Sequence, residues 1–267
     1  MSLSSRQKQI MERLQETNGV LSSAEITTVF NVTVQTIRKD LNELSDMGLV
    51  RRVHGGIRLP SDNHNLSFDN RTVLNLSSKQ RIARKAVELF PENTTIFLGI
   101  GTTPQQVAQA LIDHPGLTVV TNNINVALTL CNNPNIQTYL AGGRVRANDQ
   151  DTMGFDTTEF MSKFNIQYGV FGVGGMNQKG QLLDFTPEES NISRIIIENS
   201  EASVLVVDHT KLDRYAPVIT GELADIDFLV MDFISEPIRQ LCQERDIEMF
   251  EVGPTPELAR IPHQVTG

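Results

Sequence analysis

Near the amino terminus the apolar positions change from helical spacing to short runs around glycine, which predicts two short helices followed by a hairpin. Ser22 and Glu25 have the spacing of a capping box at the start of the first helix, which should end near Phe30. Thr33 is placed to cap the second helix, and Gly48 is placed to close it. The sequence therefore predicts a helix-turn-helix with a hairpin wing.

The second helix has two distinct faces when its residues are projected at about 100° each. Ile37, Leu41 and Leu44 form an apolar stripe, and the opposite face is polar. A helix in the major groove presents its exposed face to base edges and its flanks to phosphates, and a basic wing adds further contacts. The residues predicted to contact DNA are Ser22, Thr33, Val34, Gln35, Thr36, Arg38, Lys39, Asn42, Arg51, Arg52, His54, Gly55 and Gly56. The alternative, a small helical adaptor with a solvated basic edge, is less consistent with the order of cap, turn, stripe and wing.

The charge of the chain is divided unevenly along its 267 residues. The net charge is −9, but the first sixty residues contain eight Lys and Arg against six Asp and Glu, whereas the remainder contains fifteen against twenty-six. Nucleic-acid binding is therefore expected of the amino-terminal part alone. Because two excess charges are few, we expect a homodimer or homotetramer that places two modules on one double-stranded DNA site.

Other compositional features exclude several classes of protein. Cys131 and Cys242 lack a C-x-x-C spacing, and no apolar run resembles a signal peptide or a membrane span, so we expect a cytoplasmic protein without disulfides. The five histidines lack ligand spacing, and no metal site or cofactor is predicted.

After residue 60 a polar stretch predicts a linker, and apolar β-type runs then alternate with helical stretches. This alternation predicts an α/β fold around a largely parallel sheet. The predicted organisation is a winged helix-turn-helix at 1–59, a linker at 60–76, a sensor domain at 77–253 and an irregular tail at 254–267.

Small and polar residues follow the predicted strands, where parallel sheets bind ligands beyond their carboxyl ends. Glycine lets the backbone approach a phosphate, and hydroxyl and amide groups add donors, so several such loops at one edge indicate a small polar anion. A cluster of charged residues around a later helix, together with a lysine after another strand, would complete the site. The predicted effector-binding residues are Gly99, Gly101, Thr102, Thr103, Asn122, Asn123, Gly142, Gly143, Arg144, Gly174, Gly175, Asp184, Glu189, Arg194 and Lys211.

These motifs resemble the DeoR family of bacterial transcriptional regulators from Arg6 to about Glu251. The runs Thr36–Leu41 and Arg52–Gly56 resemble the family's recognition helix and wing. Its ligand-loop motifs are matched in order by Ile100–Thr103, Val120–Asn123, Ala141–Gly143 and Asp208–Lys211. Three runs are most similar to the subfamily of glycerol-3-phosphate regulon repressors, namely Gly101–Pro104, Val120–Ala127 and Ile196–Ser200.

The resemblance implies a sensor domain of the ribose-5-phosphate isomerase type and an effector that is a phosphorylated sugar or polyol, with glycerol 3-phosphate as one candidate. Two departures leave room for a different phosphate- or sulfonate-bearing sugar: Ser193 precedes Arg194 where the family often has two basic residues, and Phe185–Glu189 differs from the subfamily.

The expected function is repression of a carbohydrate or polyol catabolic operon, with release from the operator when the effector binds. No catalytic residue is predicted. An activator with the same sensor stays open, as does a sugar-phosphate isomerase with an appended regulatory domain, because Asp184, Glu188 and Glu189 resemble paired acid and base groups.

Overall fold

The computed structural model describes residues 3–17, 20–58 and 68–253, and the chain divides into two compact units between Leu76 and Ser77. Residues 60–67 of the predicted linker and the predicted tail lie outside the described residues. The later part of the predicted linker includes a short helix, Phe68–Val73.

The amino-terminal unit combines helices with a small antiparallel sheet. Its elements are α1 (Ser5–Glu16), β1 (Val20–Ser22), α2 (Ser23–Phe30), α3 (Val34–Asp46), β2 (Arg51–Val53), β3 (Gly56–Arg58) and α4 (Phe68–Val73). The strands pair in the order β1-β3-β2. The predicted helices and wing are confirmed, and α1 and β1 are additions that the sequence interpretation missed.

The caps of α2 and α3 form as the residue spacing predicts. The Ser22 hydroxyl accepts a hydrogen bond from the Glu25 amide at 3.1 Å, and the Glu25 carboxylate accepts one from the Ser22 amide at 2.9 Å. The Thr33 hydroxyl accepts from the Thr36 amide at 3.3 Å. These bonds satisfy amide groups that have no partner within a helix, and they fix where each helix begins.

Gly48 ends α3 in the left-handed conformation, with φ 72°. Its amide donates to the Ser45 carbonyl at 2.9 Å, and the amide of Leu49 donates to the Leu44 carbonyl at 3.0 Å. This pair of bonds is a Schellman motif, and Leu44 and Leu49 both belong to the buried core. The end of α3 is thereby joined to the start of the wing.

Buried contacts hold α3 against the rest of its unit. Ile37, Leu41 and Leu44 have no exposed surface. On the same helix Asp40 is 5% exposed and accepts two hydrogen bonds from the Arg6 guanidinium, at 2.5 and 3.2 Å. This ion pair raises the pKa of Arg6 and attaches α1 to α3.

The second unit surrounds a seven-stranded sheet whose neighbouring strands all run parallel. Its strands in spatial order are β15 (Glu248–Glu251), β14 (Phe228–Met231), β12 (Ser200–Val207), β9 (Ile166–Phe171), β4 (Thr94–Leu98), β5 (Leu117–Thr121) and β6 (Ile136–Leu140). The helices are α5 (Leu76–Val87), α6 (Thr102–Ala110), α7 (Ile124–Leu130), α8 (Phe155–Met161), α9 (Pro187–Glu198) and α10 (Glu236–Glu244). Two clusters of buried apolar residues include side chains from this sheet. The predicted parallel α/β fold is confirmed.

Smaller antiparallel pieces complete this unit. One is a hairpin of β7 (Arg144–Arg146) and β8 (Asp151–Met153). The other is a three-stranded sheet of β10 (Gly175–Met176), β11 (Gln181–Asp184) and β13 (Val218–Glu222). These pieces and β15 were not predicted, because their runs are short and lack a strong apolar pattern. In the part of the chain that is described, no helix combines the length and apolar character needed to span a bilayer.

Gly56 should be irreplaceable in the wing, because a Cβ atom there would lie 2.3 Å from the Leu21 carbonyl oxygen. We expect Gly56→Ala to separate β3 from β1 and to destabilise the amino-terminal unit by about 1–3 kcal/mol. Hydrogen exchange measured by mass spectrometry should show faster exchange in residues 20–58.

The matched control is Gly142→Ala in the second unit, where a Cβ atom would meet nothing within 4 Å. It should leave exchange in residues 20–58 unchanged. Equal protection of the wing in Gly56→Ala and the parent protein would contradict the steric argument.

Candidate nucleic-acid interface and ligand site

The outer face of α3 is polar and open to solvent. Gln35, Arg38, Lys39 and Asn42 are exposed, and Val34 is 51% exposed. The Lys39 ammonium lies 4.0 Å from the Glu43 carboxylate in an exposed pair one helical turn apart, a contact that contributes little energy. The side chains that the sequence assigns to base recognition therefore share one accessible surface.

The wing adds basic groups to this unit. Arg51, Arg52 and His54 are exposed, and Gly55 turns the hairpin with φ 82°. Gly56 is buried against β1, so packing accounts for this glycine. Ser22, Thr33 and Thr36 are mainly occupied in capping α2 and α3.

In the second unit the order of strands reverses between β4 and β9. The chain proceeds from β4 through β5 to β6 on one side, and from β9 through β12 and β14 to β15 on the other. Helices on opposite sides of such a reversal leave a crevice at the carboxyl ends of the strands, where ligands bind in open α/β sheets. The predicted glycine, threonine and asparagine loops follow β4, β5, β6 and β9, so parallel pairing brings them to one edge.

Short hydrogen bonds connect neighbouring loops at this edge. The Thr121 hydroxyl donates to the Leu98 carbonyl at 2.6 Å, which joins the ends of β5 and β4. The Thr152 hydroxyl donates to the Ala141 carbonyl at 2.7 Å, and the Asn122 amide group donates to the Thr152 carbonyl at 2.9 Å. The loops are thus held as a set rather than separately.

The first turn of α6 has the features of a helix amino terminus that can accept an anion. Its N-cap, Gly101, has φ 112° and no side chain, so no side-chain oxygen of its own covers the first amide groups of the helix. Thr102 and Thr103 follow in the first turn and are 6% and 5% exposed. The positive end of the helix dipole and amide groups without a side-chain cap suit a phosphate at this position.

Three buried polar atoms near this edge have no hydrogen-bond partner among the described residues: Asn122 Oδ1, Asn123 Nδ2 and Gln105 Oε1. The oxygen of Asn123 accepts from the amides of Asn125 and Val126 and so caps α7. Unpaired buried amide atoms are costly unless water or a ligand satisfies them. Their position supports a polar ligand with hydroxyl groups.

Asp184 lies beneath the loop after β9 rather than on an open surface. It is 5% exposed and accepts from the Gly174 amide at 2.9 Å, the Thr220 hydroxyl at 2.7 Å and the Ser193 hydroxyl at 3.3 Å. Burial raises the pKa of Asp184 to about 6, against the opposing effect of these hydrogen bonds. Its oxygens hold the glycine loop in place.

Glu189 has both oxygens engaged. Arg146, on the β7–β8 hairpin, donates to Glu189 at 2.7 Å and forms two hydrogen bonds with Asp151, at 2.6 and 2.8 Å. The second oxygen of Glu189 accepts from the Phe185 amide at 3.1 Å. Burial opposes the charge of Arg146, but its carboxylate partners keep its pKa above the ordinary value. The network joins the hairpin to the first turn of α9.

The remaining charged residues of the predicted site lie in different surroundings. Arg144 is exposed, and Arg194 is 59% exposed, 3.6 Å from Glu198 on the same helix. Lys211 is half-buried in the turn that follows β12, at the same sheet edge as the glycine loops. The structure brings Asp184, Glu189 and the loops together, whereas Arg194 points to solvent.

Several residues at this edge were not singled out from the sequence. Arg146, Asp151, Gln105 and Asp232 belong to this group. His209 lies within the run Asp208–Lys211 but was given no role of its own; it forms a hydrogen-bonded pair with Asp232 at 2.7 Å. Arg146 was missed because the β7–β8 hairpin was not predicted, and Arg144 was chosen because it directly follows Gly142 and Gly143. The described residues contain no cluster of three metal-ligating side chains.

Comparison with known families assigns both units. Residues 6–63 match the DeoR-like helix-turn-helix domain, and residues 74–233 match the DeoR C terminal sensor domain. The chain belongs to the DeoR family. The family prediction made from the loop and helix motifs is therefore confirmed.

This DeoR-family protein is 41% identical over 232 residues to the glycerol-3-phosphate regulon repressor of Escherichia coli (strain K12), covering 87% of this chain and 92% of that protein. It is 37% identical over 249 residues to the repressor of the same name from Haemophilus influenzae, covering 93% of this chain and 97% of that protein. Among solved structures, ribose 5-phosphate isomerase A from Neisseria gonorrhoeae matches over 52% of this chain and 54% of its own, with 19% identity and a TM-score of 0.35. Nothing about activity follows from so remote a likeness.

Asp184 should make the stability of the DeoR sensor unit depend on pH. Its pKa is raised from 3.8 in an exposed carboxyl to about 6 in the fold, so between these values the folded state holds a proton that the unfolded state has lost. Stability contributed by this group therefore falls as pH rises through that window, by up to about 1.4 kcal/mol per pH unit. Asp184→Asn should remove this dependence. The measurement compares the calorimetric unfolding midpoints of the variant and the parent protein at pH 4.5 and at pH 7.

Asp113→Asn, at an exposed position of the same unit, serves as the control and should keep the parental pH dependence. If the difference between Asp184→Asn and the parent were the same at both pH values, burial of this carboxyl would not be the cause.

Proposed function

We propose that this protein is a DNA-binding transcriptional repressor that leaves its operator when a phosphorylated sugar or polyol binds its sensor unit. The observation that carries the proposal is the presence, in one chain, of an exposed polar recognition face on α3 and a glycine-rich loop set at the carboxyl edge of a parallel sheet. Two relatives that align along most of this chain are named repressors of the glycerol-3-phosphate regulon.

The DNA-binding part of the proposal assigns different tasks to α3 and the wing. Gln35 and Lys39 are exposed on the outer face of α3, where side chains of suitable length reach base edges. Arg51 and Arg52 lie on β2 and supply charge toward phosphates. A single module with this modest charge binds weakly, so two modules of an oligomer on one operator are part of the proposal.

The effector-binding part rests on the α6 amino terminus and the loops around it. Amide groups of the first turn and the hydroxyls of Thr102 and Thr103 suit a phosphate, and the unpaired amide atoms of Asn122, Asn123 and Gln105 suit hydroxyl groups of a polyol chain. Glycerol 3-phosphate combines both features and is the first compound to test. Arg194 is the member of the proposed site least supported by its position, since it faces solvent beside Glu198.

An activator with the same sensor differs only in where its operator lies relative to the promoter. The sugar-phosphate isomerase alternative loses support because Asp184 and Glu189, the carboxylates once considered as acid and base, already hold loop and helix groups. Conversion of a bound sugar phosphate by the full-length protein would revive the isomerase alternative, whereas binding without conversion supports a sensor.

Substitutions on α3 and the wing should have different effects on DNA binding. Gln35→Ala and Lys39→Ala should each reduce discrimination between operator and random DNA by about 1–3 kcal/mol. Arg51→Ala should weaken binding to both DNAs and reduce the slope of log affinity against log salt by about 1. Fluorescence anisotropy with operator and random duplexes at several salt concentrations measures both effects.

Lys179→Ala is the control, because it removes the same charge from an exposed site in the sensor unit. It should leave both the salt slope and the discrimination unchanged. Equal losses on operator and random DNA for the Gln35 and Lys39 variants would contradict their assignment to base recognition.

The release mechanism is tested by measuring operator affinity with and without effector. The operator is first selected from random duplexes with the purified protein. Glycerol 3-phosphate, other phosphorylated sugars and polyols, and unphosphorylated glycerol are then compared. We expect at least one phosphorylated compound to weaken operator binding tenfold or more and glycerol to have no effect. Because linkage is reciprocal, operator DNA must weaken the affinity for that effector by the same factor. A compound that binds the free protein without changing operator affinity would exclude this mechanism.

A further inference from the structure

Two buried carboxylates hold a single three-residue turn at the end of β12. Asp208, 1% exposed, accepts from the Thr210 amide at 3.1 Å and also from its hydroxyl. Asp232, 6% exposed at the end of β14, accepts from the His209 amide at 2.7 Å and from the His209 ring at 2.7 Å. Two charged groups at the ends of neighbouring strands therefore hold this turn in one shape.

The ring of His209 is oriented by this arrangement. A carboxylate only accepts hydrogen bonds, so the ring nitrogen facing Asp232, Nδ1, carries a proton. Among the described residues, the other nitrogen, Nε2, has no hydrogen-bond partner, and the side chain is 41% exposed. The histidine is thus fixed at one nitrogen and accessible at the other, as in sites where a carboxylate aligns a working imidazole.

The place of this turn in the sheet connects it to the ligand loops. β12 and β4 flank β9, and neighbouring strands lie about 4.8 Å apart, so the turn and the α6 amino terminus start about 10 Å from each other. Between them lies the loop after β9, in which Gly174 and Gly175 allow close packing: a Cβ atom would lie 2.9 Å from the Phe185 ring at the first position and 2.0 Å from the Arg214 carbonyl oxygen at the second. This spacing suits a phosphate group with hydrogen bonds on both sides.

We propose that His209 donates a hydrogen bond from Nε2 to a phosphate oxygen of the effector, with Asp232 as the residue that positions it. The inference deepens the proposed function and rests on it, because it assigns a further residue to the same effector site. It assigns effector binding to the turn that also contains Lys211, two residues after His209.

The charges around His209 predict how this contact responds to pH. Asp232 raises the pKa of His209 above its ordinary value, while burial lowers it; Asp208 adds to the rise, and Arg81 of α5 opposes it. The buried Lys79 ammonium lies 4.0 Å from Asp208 and moderates that charge. A raised pKa keeps the imidazolium to higher pH, and phosphate monoesters become dianions above about pH 6. Binding should therefore be strongest between these two ionisations and weaken as pH rises further.

The experiment measures binding of glycerol 3-phosphate and inorganic phosphate to the full chain by calorimetry from pH 6 to pH 9. The parent protein should lose affinity above neutral pH. His209→Gln should weaken binding at least tenfold at pH 6.5 and remove this loss at higher pH. Asp232→Asn should retain binding at pH 6 but begin to lose affinity at lower pH than the parent, a shift that a merely structural role would not produce.

His114→Gln is the matched control, since His114 lies before β5 at the opposite edge of the sheet and bonds to backbone atoms of Phe90 and Gly116. Proton NMR of the His209 ring in the parent protein gives a measurement independent of any variant, and phosphate should move its titration to higher pH. An unchanged ring titration, or a His209→Gln profile equal to the parent's, overturns the inference while phosphate binding itself stands. Failure of both probes to bind the parent protein overturns this inference and the phosphorylated effector together.

Discussion

The parallel pairing of seven strands is the constraint on which the sensor unit depends. In a parallel sheet every strand ends at the same edge, so the loop after each strand is brought beside its neighbours regardless of its distance along the chain. The reversal of order between β4 and β9 then opens that edge. Loops separated by more than a hundred residues, after β4 and β12, are brought to the same edge by backbone hydrogen bonding alone.

Backbone pairing places the loops, and buried charged and polar groups fix their shapes. Asp184 holds the glycine loop after β9, Arg146 joins the hairpin to α9, and Asp232 holds the turn after β12. Burying each of these charged groups costs free energy because the group loses its water. Hydrogen bonds to its partners offset this cost only when those partners are in place. A loop that moved to accept a ligand would disturb these bonds. Ligand binding at one loop could in this way change the conformation of other parts of the sensor unit.

The amino-terminal unit is organised differently, by local signals and a small core. Caps at Ser22 and Thr33 and the Schellman motif at Gly48 set the helix ends, and the Arg6 to Asp40 ion pair fixes α3 against α1. The buried stripe and the capped ends stabilise α3, so the side chains on its outer face contribute little to the stability of the fold. That face can carry Gln35, Lys39 and Asn42 for recognition without cost to the fold.

The sequence by itself determined what depends on neighbours along the chain. Capping spacing and helical periodicity identified α2 and α3, alternating apolar runs predicted the parallel sheet, and small residues after strands indicated the proposed ligand edge. The capping box of Ser4 and Gln7 also indicates the start of α1, a helix that the sequence interpretation missed.

Only the tertiary structure decided which charged groups meet, because their energies depend on burial and on partners distant in sequence. Arg146 and Glu189 are 43 residues apart, and Asp232 reaches back 23 residues to His209. Asp184 and Glu189 looked from the sequence like ligand contacts, yet the fold buries them and occupies their oxygens. A carboxylate has the same letter in the sequence whether it faces solvent, a ligand or a buried amide; packing alone distinguishes the three.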